Sequence, residues 1–335
     1  MAVDPQLLLS NHLAAVSRSF YLTLKILPKA VRTQIGLAYL LARTTDTIAD
    51  TDLVPVERRL EALRALDARI QGTQGAPVVF RDLAGKQGSP AEKVLLENCE
   101  DSVALLETLT IKDRDLIRSV LRTITSGQEL DLRRFATASA ASIVALVRAE
   151  ELDDYTYRVA GCVGEFWTHI CRAHLFPKAN LDESALFADA VRFGKGLQLV
   201  NILRDLPADL RLGRCYLPDL ELRTLGLTPS DLLDSKNEAR FRPLFEKHLT
   251  TARGHLDAGW RYTCTLPYRC VRVRLACAWP VLLGLQTLQL LATRPVLTAH
   301  RLKVDRRALK AIMLRSVLLY PFPTLWRRLG ALPPR

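Results

Sequence analysis

Apolar residues along this chain recur at three- and four-residue intervals, and strict alternation of apolar and polar positions is scarce. That spacing predicts a succession of amphipathic helices. The first clear one covers residues 30–50, with Pro28 just ahead of it, where a helix tolerates proline. A second covers 57–71, with Leu60, Leu63 and Leu66 at helical intervals. Residues 72–88 are rich in Gly, Gln and Pro and read as a loop. Helices are then expected at about 91–109, 112–126, 141–176 and 182–210, the last followed by a loop through Gly213 and Pro218. Three more fit 239–263, 271–292 and 304–319. No repeat period, low-complexity block or linker-like stretch interrupts the series, so the expected architecture is all-α, with a single domain over 1–335.

Two of these helices carry a polar stripe on an otherwise apolar body. In QIGLAYLLARTTDTIAD, residues 34–50, Tyr39 is followed by Arg43, Asp46 and Asp50 at offsets of 4, 7 and 11, which place all four on one face. In QLVNILRDLPAD, residues 198–209, Gln198, Asn201, Asp205 and Asp209 stand at offsets of 0, 3, 7 and 11. Arg204 lies beside that stripe, and Pro207 is expected to kink or loosen the helix end. Like charges at i, i+4 repel by about 0.2–0.5 kcal/mol on an exposed helix, and desolvation raises that cost. A hard divalent cation removes both penalties. Mg²⁺ usually takes one or two carboxylates from the protein and completes its shell with water and substrate phosphate. Two facing pairs, each preceded by an arginine able to grip phosphate, therefore suit a metal–diphosphate site. A lone pair of this kind is ordinarily a solvated face; two on apolar helices fit that bland reading poorly.

Composition agrees with a helical core: 49% of the residues are hydrophobic, and only 16 Gly and 17 Pro are spread over 335 positions. The formal charge of +12 admits nucleic acid, an anionic membrane or a phosphorylated small molecule as partner. Residues 301–335 concentrate that charge, with nine Lys/Arg against the single acid Asp305. A solvated basic tail and a membrane-attracted one are both compatible with this segment. No helix-turn-helix or base-stacking signature accompanies the charge, so nucleic acid is not an expected partner. The seven cysteines form no CxxC, and the N-terminus lacks an uninterrupted apolar core. Reduced, mostly buried thiols in a cytoplasmic protein are expected. The most apolar run, 276–292, falls short of the roughly 18 uncharged residues of a span and contains Pro280. It reads as a buried core helix. The apolar stretch 316–326 either enters a membrane interface or packs on the body.

Five ordered motifs then come together. They are SRSF at 17–20, RTTDTIAD at 43–50, YRVAGCVG at 157–164, QLVNILRDLPAD at 198–209 and GRCYLP at 213–218. In this order they resemble the squalene/phytoene synthase family over most of the chain. The Asp46–Thr47–Ile48–Ala49–Asp50 version and CAWP at 277–280 are more similar to its squalene synthase (farnesyl-diphosphate farnesyltransferase) branch, in a bacterial form without a C-terminal span. Phytoene, dehydrosqualene and presqualene diphosphate synthases are the near alternatives. A basic helical protein that binds nucleic acid or membrane is the distant one.

The resemblance implies an isoprenoid synthase helical bundle with a central cavity, a monomer, and two molecules of farnesyl diphosphate as substrate. It implies Mg²⁺ on Asp46, Asp50, Asp205 and Asp209, with Arg43, Arg204 and Arg214 on the diphosphate. Ser17, Arg18 and Phe20 would form one end of the cavity, and Gln198 and Asn201 would line it or orient the metal ligands. Tyr157 would stabilise a cation or relay a proton, with Tyr39 as a second candidate. Gly161 and Gly164 are expected to leave room for a prenyl chain. A final hydride would come from NADPH. No GxGxxG fingerprint is present, and the resemblance points to Lys303 and Arg306 as cofactor contacts, although Asp305 stands where a basic residue is expected. Peripheral attachment to the inner face of a membrane fits the basic end.

Overall fold

The structure is a computed structural model that describes residues 20–298 and 302–330, with side chains from Thr23 onward. Its contacts divide the chain into two compact units, residues 1–136 with 166–178, and residues 137–165 with 179–335.

The first unit contains α1 (Phe20–Ile26), α2 (Lys29–Asp50), α3 (Val56–Gln71), the single turn α4 (Arg81–Ala84), α5 (Pro90–Glu97), α6 (Cys99–Glu107) and α7 (Ile111–Arg134). Helix α2 starts at Pro28, as expected, and buries Ile35, Leu37, Leu40, Leu41 and Ile48. Its buried threonines return their hydroxyls to the backbone, Thr44 to Leu40 O at 2.9 Å and Thr47 to Arg43 O at 2.8 Å. These bonds remove the cost of burying a bare hydroxyl. Helix α3 ends at Gly72, whose φ of +76° gives the left-handed cap that a side chain would resist. The helix expected over 91–109 is two helices, broken at Asn98, whose amide donates to Val94 O at 2.8 Å. An Asn that satisfies the preceding turn with its own side chain ends a helix without a proline. Conversely, α7 runs well past 126, because the buried Gly127 packs inside it and does not end it. Both α2 and α3 pack on α7.

The second unit opens with β1 (Val144–Leu146) and continues through α8 (Ala149–Thr156), a π-helical segment (Tyr157–Gly161) and α9 (Cys162–His174); the division between the units falls after Glu165. Then follow α10 (Glu183–Arg211), β2 (Arg214–Pro218), α11 (Asp219–Thr224), α12 (Glu238–Thr265), α13 (Val271–Thr293), α14 (Arg306–Leu318) and α15 (Pro323–Arg327). Two expectations fail here for one reason. The helix drawn over 141–176 begins only at Ala149, and the loop after 210 contains a strand, because β1 and β2 pair in parallel, Val144 opposite Arg214 and Ala145 opposite Cys215. A short apolar run such as IVAL is ambiguous between helix and strand until its partner is known. Gly213 makes the pairing possible: its φ is +81°, and a Cβ there would meet Ser139 N at 2.3 Å.

Helix α10 also runs through Pro207 to Arg211 without the expected loosening. The proline removes one backbone donor, and the buried Leu206 and Leu210 on either side hold the turn in place. Helix α10 packs along α12, and α12 along α13. By length and composition α13 is long and apolar enough to cross a membrane, yet half of its most apolar window is buried in the protein. The stretch 316–326 packs on the body: Ser316, Tyr320 and Trp326 are buried. All seven cysteines are free thiols, five of them buried.

Candidate active site

Helix α2 presents its stripe as the sequence spacing predicts. Tyr39, Arg43 and Asp46 are half-buried and Asp50 is exposed, while Leu40, Leu41, Thr44, Thr45, Thr47, Ile48 and Ala49 between them are buried. Arg43 holds Asp46 with one arm of its guanidinium and Glu92, from α5, with the other. Burial works against the Arg43 cation, but Asp46 and Glu92 outweigh it and raise its pKa. For Asp46 desolvation prevails over Arg43 and lifts the carboxyl above its ordinary range. Such an acid gains from any further positive charge. The Arg43 Nε is buried and donates to nothing, so the guanidinium keeps a donor in reserve. Glu92 escaped the sequence reading, since nothing in PAEKVLLE marks which acid on that helix meets Arg43.

On α10, Gln198, Asn201, Asp205 and Asp209 are all half-buried, framed by buried Leu199, Val200, Ile202, Leu203, Leu206 and Leu210. Arg204 forks onto Asp205, with Nε–Oδ1 at 2.9 Å and Nη2–Oδ2 at 2.7 Å. This bidentate geometry is the strong form of the pair. Asp209 lies near enough to Cys215 to help push that thiol up, after burial, to about 12. Arg214 is half-buried at the start of β2, opposite Val144. The same device thus occurs on two helices: an i, i+4 carboxylate pair whose first member is held by an arginine.

Among the described residues no three His, Cys, Asp or Glu side chains cluster as a ready metal cage. The donors present are hard carboxylate oxygens in pairs. That set fits Mg²⁺ arriving with a diphosphate, and fits poorly an ion held by protein alone.

Tyr157 begins the π-helical segment, and its hydroxyl donates to Glu165 Oε2 at 3.0 Å. Burial first, and Glu165 second, raise the phenol above its usual pKa, so it keeps its proton at neutral pH. π-helical insertions are frequent at functional sites. The two glycines do a different job from the one expected of them. A Cβ on Gly164 would meet Ala190 O at 2.0 Å, and one on Gly161 would meet Lys195 Cγ at 3.2 Å and Val191 Cγ1 at 3.4 Å. Their lack of a Cβ is spent on close approach to α10, which Gly194 reciprocates at Ala160 O.

Residues 13–308 match the profile of the squalene/phytoene synthases. The chain belongs to that family. Among its curated members, the bifunctional lycopene cyclase/phytoene synthase of Colletotrichum graminicola is 29% identical over 250 residues, which are 72% of this chain and 39% of that protein. The presqualene diphosphate synthase of Sinorhizobium fredii is 31% identical over 223 residues, 66% of each chain. The solved structure of TcSQS with a ligand covers 96% of this chain and 91% of its own, with a TM-score of 0.76 at 22% identity. The fold is the all-α isoprenoid synthase fold.

The remaining candidates from the squalene/phytoene synthase motifs are placed less tellingly. Ser17 and Arg18 lie outside the described residues, as does the side chain of Phe20, which opens α1. Lys303 and Arg306 are exposed at the start of α14. Asp305 spends its side chain as the N-cap of that helix, accepting from Ala308 N at 2.7 Å. This accounts for an acid at that position without any cofactor.

Proposed function

We propose that the protein is a Mg²⁺-dependent head-to-head prenyl synthase that joins two farnesyl diphosphates into presqualene diphosphate and, with NADPH, reduces this to squalene. One observation supports the reading above all: two i, i+4 aspartate pairs, each with an arginine on its leading carboxylate and each flanked by buried apolar residues of its own helix. Asp46, Asp50, Asp205 and Asp209 would hold the metal. When bound, Mg²⁺ supplies positive charge against the departing diphosphate. Arg43, Arg204 and Arg214 would add fork-shaped cationic donors to the diphosphate.

Departure of the first diphosphate leaves an allylic cation. Attack by the double bond of the second farnesyl group, with loss of one proton, closes a cyclopropane. Tyr157 is suited to carry that proton: it stays protonated itself, so it relays, passing its own proton to Glu165 as it takes the new one. Tyr39, beside Arg43, is the second candidate. Gln198 and Asn201 orient the α10 carboxylates or line the substrate. Lys303 and Arg306 offer point charges to a dinucleotide phosphate, and no step of the reduction is derived from them.

The named relatives favour a second reading within the same chemistry, an enzyme that stops at presqualene diphosphate or makes phytoene. Mass spectrometry of products from farnesyl diphosphate and Mg²⁺, with and without NADPH, separates them. Squalene only with NADPH is expected. Presqualene diphosphate or dehydrosqualene regardless of NADPH overturns the reductive step, and turnover confined to geranylgeranyl diphosphate points to phytoene.

A further inference from the structure

Helices α14 and α15 turn one face to solvent that nothing in the proposed chemistry uses. Leu314 is 60% exposed, Leu318 62% and Phe322 56%, with Val317 and Leu325 nearly half exposed. Between the two helices lies an open groove of about 590 Å³, lined by leucines 314, 318, 319 and 325 together with Arg315 and Arg328. The same two helices also carry Arg307, Lys310 and Arg327, all exposed. From 306 to 330 the chain has no Asp or Glu, and among the described residues no carboxylate pairs with any of these five cations.

The face is held rigidly from behind. Trp326 stacks on Trp260 with ring centroids 4.8 Å apart and donates its indole N–H to Ser316 O at 3.0 Å. Trp279 donates to Ser316 Oγ at 2.9 Å, and Tyr268 stacks on Tyr320 at 4.9 Å. Arg274 lies buried over Trp326, 4.7 Å from its ring centre. Ordering the face on contact would therefore cost little conformational entropy.

We propose that this face docks the protein on an anionic lipid surface. Leu314, Leu318 and Phe322 enter the boundary between headgroups and acyl chains, the groove takes the end of an acyl chain, and the five cations meet the headgroups. Charge complementarity selects this occupant. A second copy on the same face would set five cations against five. Nucleic acid would reward the cations and gain nothing from exposed leucines. The docking stands independently of which prenyl product is made.

Flotation of the full chain with vesicles tests it. Binding is expected to phosphatidylcholine vesicles containing phosphatidylglycerol, to weaken with added salt, and to be slight with phosphatidylcholine alone. Removing one cation near such a surface weakens binding roughly fivefold, so Arg307→Gln, Lys310→Gln and Arg328→Gln combined should abolish it. Leu314→Ser with Phe322→Ser should weaken it while circular dichroism stays unchanged, since both side chains are exposed. Three outcomes overturn the proposal: no vesicle binding by the full chain, binding that neither variant alters, or a dimer that the Leu314→Ser/Phe322→Ser variant dissociates. Salt-sensitive binding to DNA in place of vesicles overturns it as well.

Discussion

Asp46 and Asp205 are held by different arginine geometries. Arg204 serves Asp205 alone through two hydrogen bonds, whereas Arg43 is divided between Asp46 and Glu92. Asp46→Asn and Asp205→Asn should each abolish prenyl turnover with the helical circular dichroism unchanged; near-normal turnover in either would remove the basis for a metal–diphosphate site. Glu92→Gln should weaken the apparent affinity for Mg²⁺ and diphosphate more than it lowers kcat, because it frees Arg43 without touching a carboxylate of the pair. Tyr157→Phe deletes the proposed relay and should lower the rate roughly 10²–10⁴-fold, the usual worth of positioned acid–base groups; product analysis under single turnover would show whether cyclopropane closure is the step affected. The aspartates and arginines were legible because helical phase depends only on spacing along one segment. Glu92 and Glu165 were not, since the first meets its partner across 49 residues. The second is eight residues from Tyr157 and comes within reach across a turn that is not α-helical.

At the scale of elements, helix packing decides what sequence could only suggest. Gly164 and Gly194 let the π-helical segment and α9 approach α10 to backbone contact. Gly164→Ala puts a methyl 2.0 Å from the Ala190 carbonyl. Overpacking of this kind typically costs about 1–3 kcal/mol, so thermal unfolding should show a clearly lowered Tm, with activity falling as α10 shifts. An unchanged Tm would mean that the helices separate freely there. Helix ends were legible where a local device marks them, as at Pro28 and Asp182. They were hidden where the marker is distant: β1 exists because Gly213 brings β2 alongside, nearly seventy residues away.

For the whole molecule, one buried and one half-buried histidine set a lower pH limit. Burial lowers the pKa of His248 below its ordinary 6.5, against the pull of Glu221 at 2.9 Å. His255 is lowered too, by burial and then by Arg192 and Lys195. Below pH 6.5 the unfolded chain takes up protons that these sites refuse, so stability is full above that pH and falls as pH drops toward the folded values. Tm measured through this window should decline with acid, and less steeply in His248→Gln. The helical class and the family were readable from five motifs and a 3.6-residue rhythm. The charge of the basic end was readable too, but its exposed apolar face was not, because periodicity does not tell which side of α14 meets Trp326 and which meets solvent.

The ring stacking behind that face has a practical side. Of the four tryptophans in the chain, Trp326 lies within the segment from Ser316 to Gly330, and Trp260 and Trp279 touch that segment. Intrinsic fluorescence and near-ultraviolet dichroism are thus dominated by one small region. The protein carries its own optical gauge of whether α14 and α15 are seated, readable without any label during denaturation or upon contact with lipid.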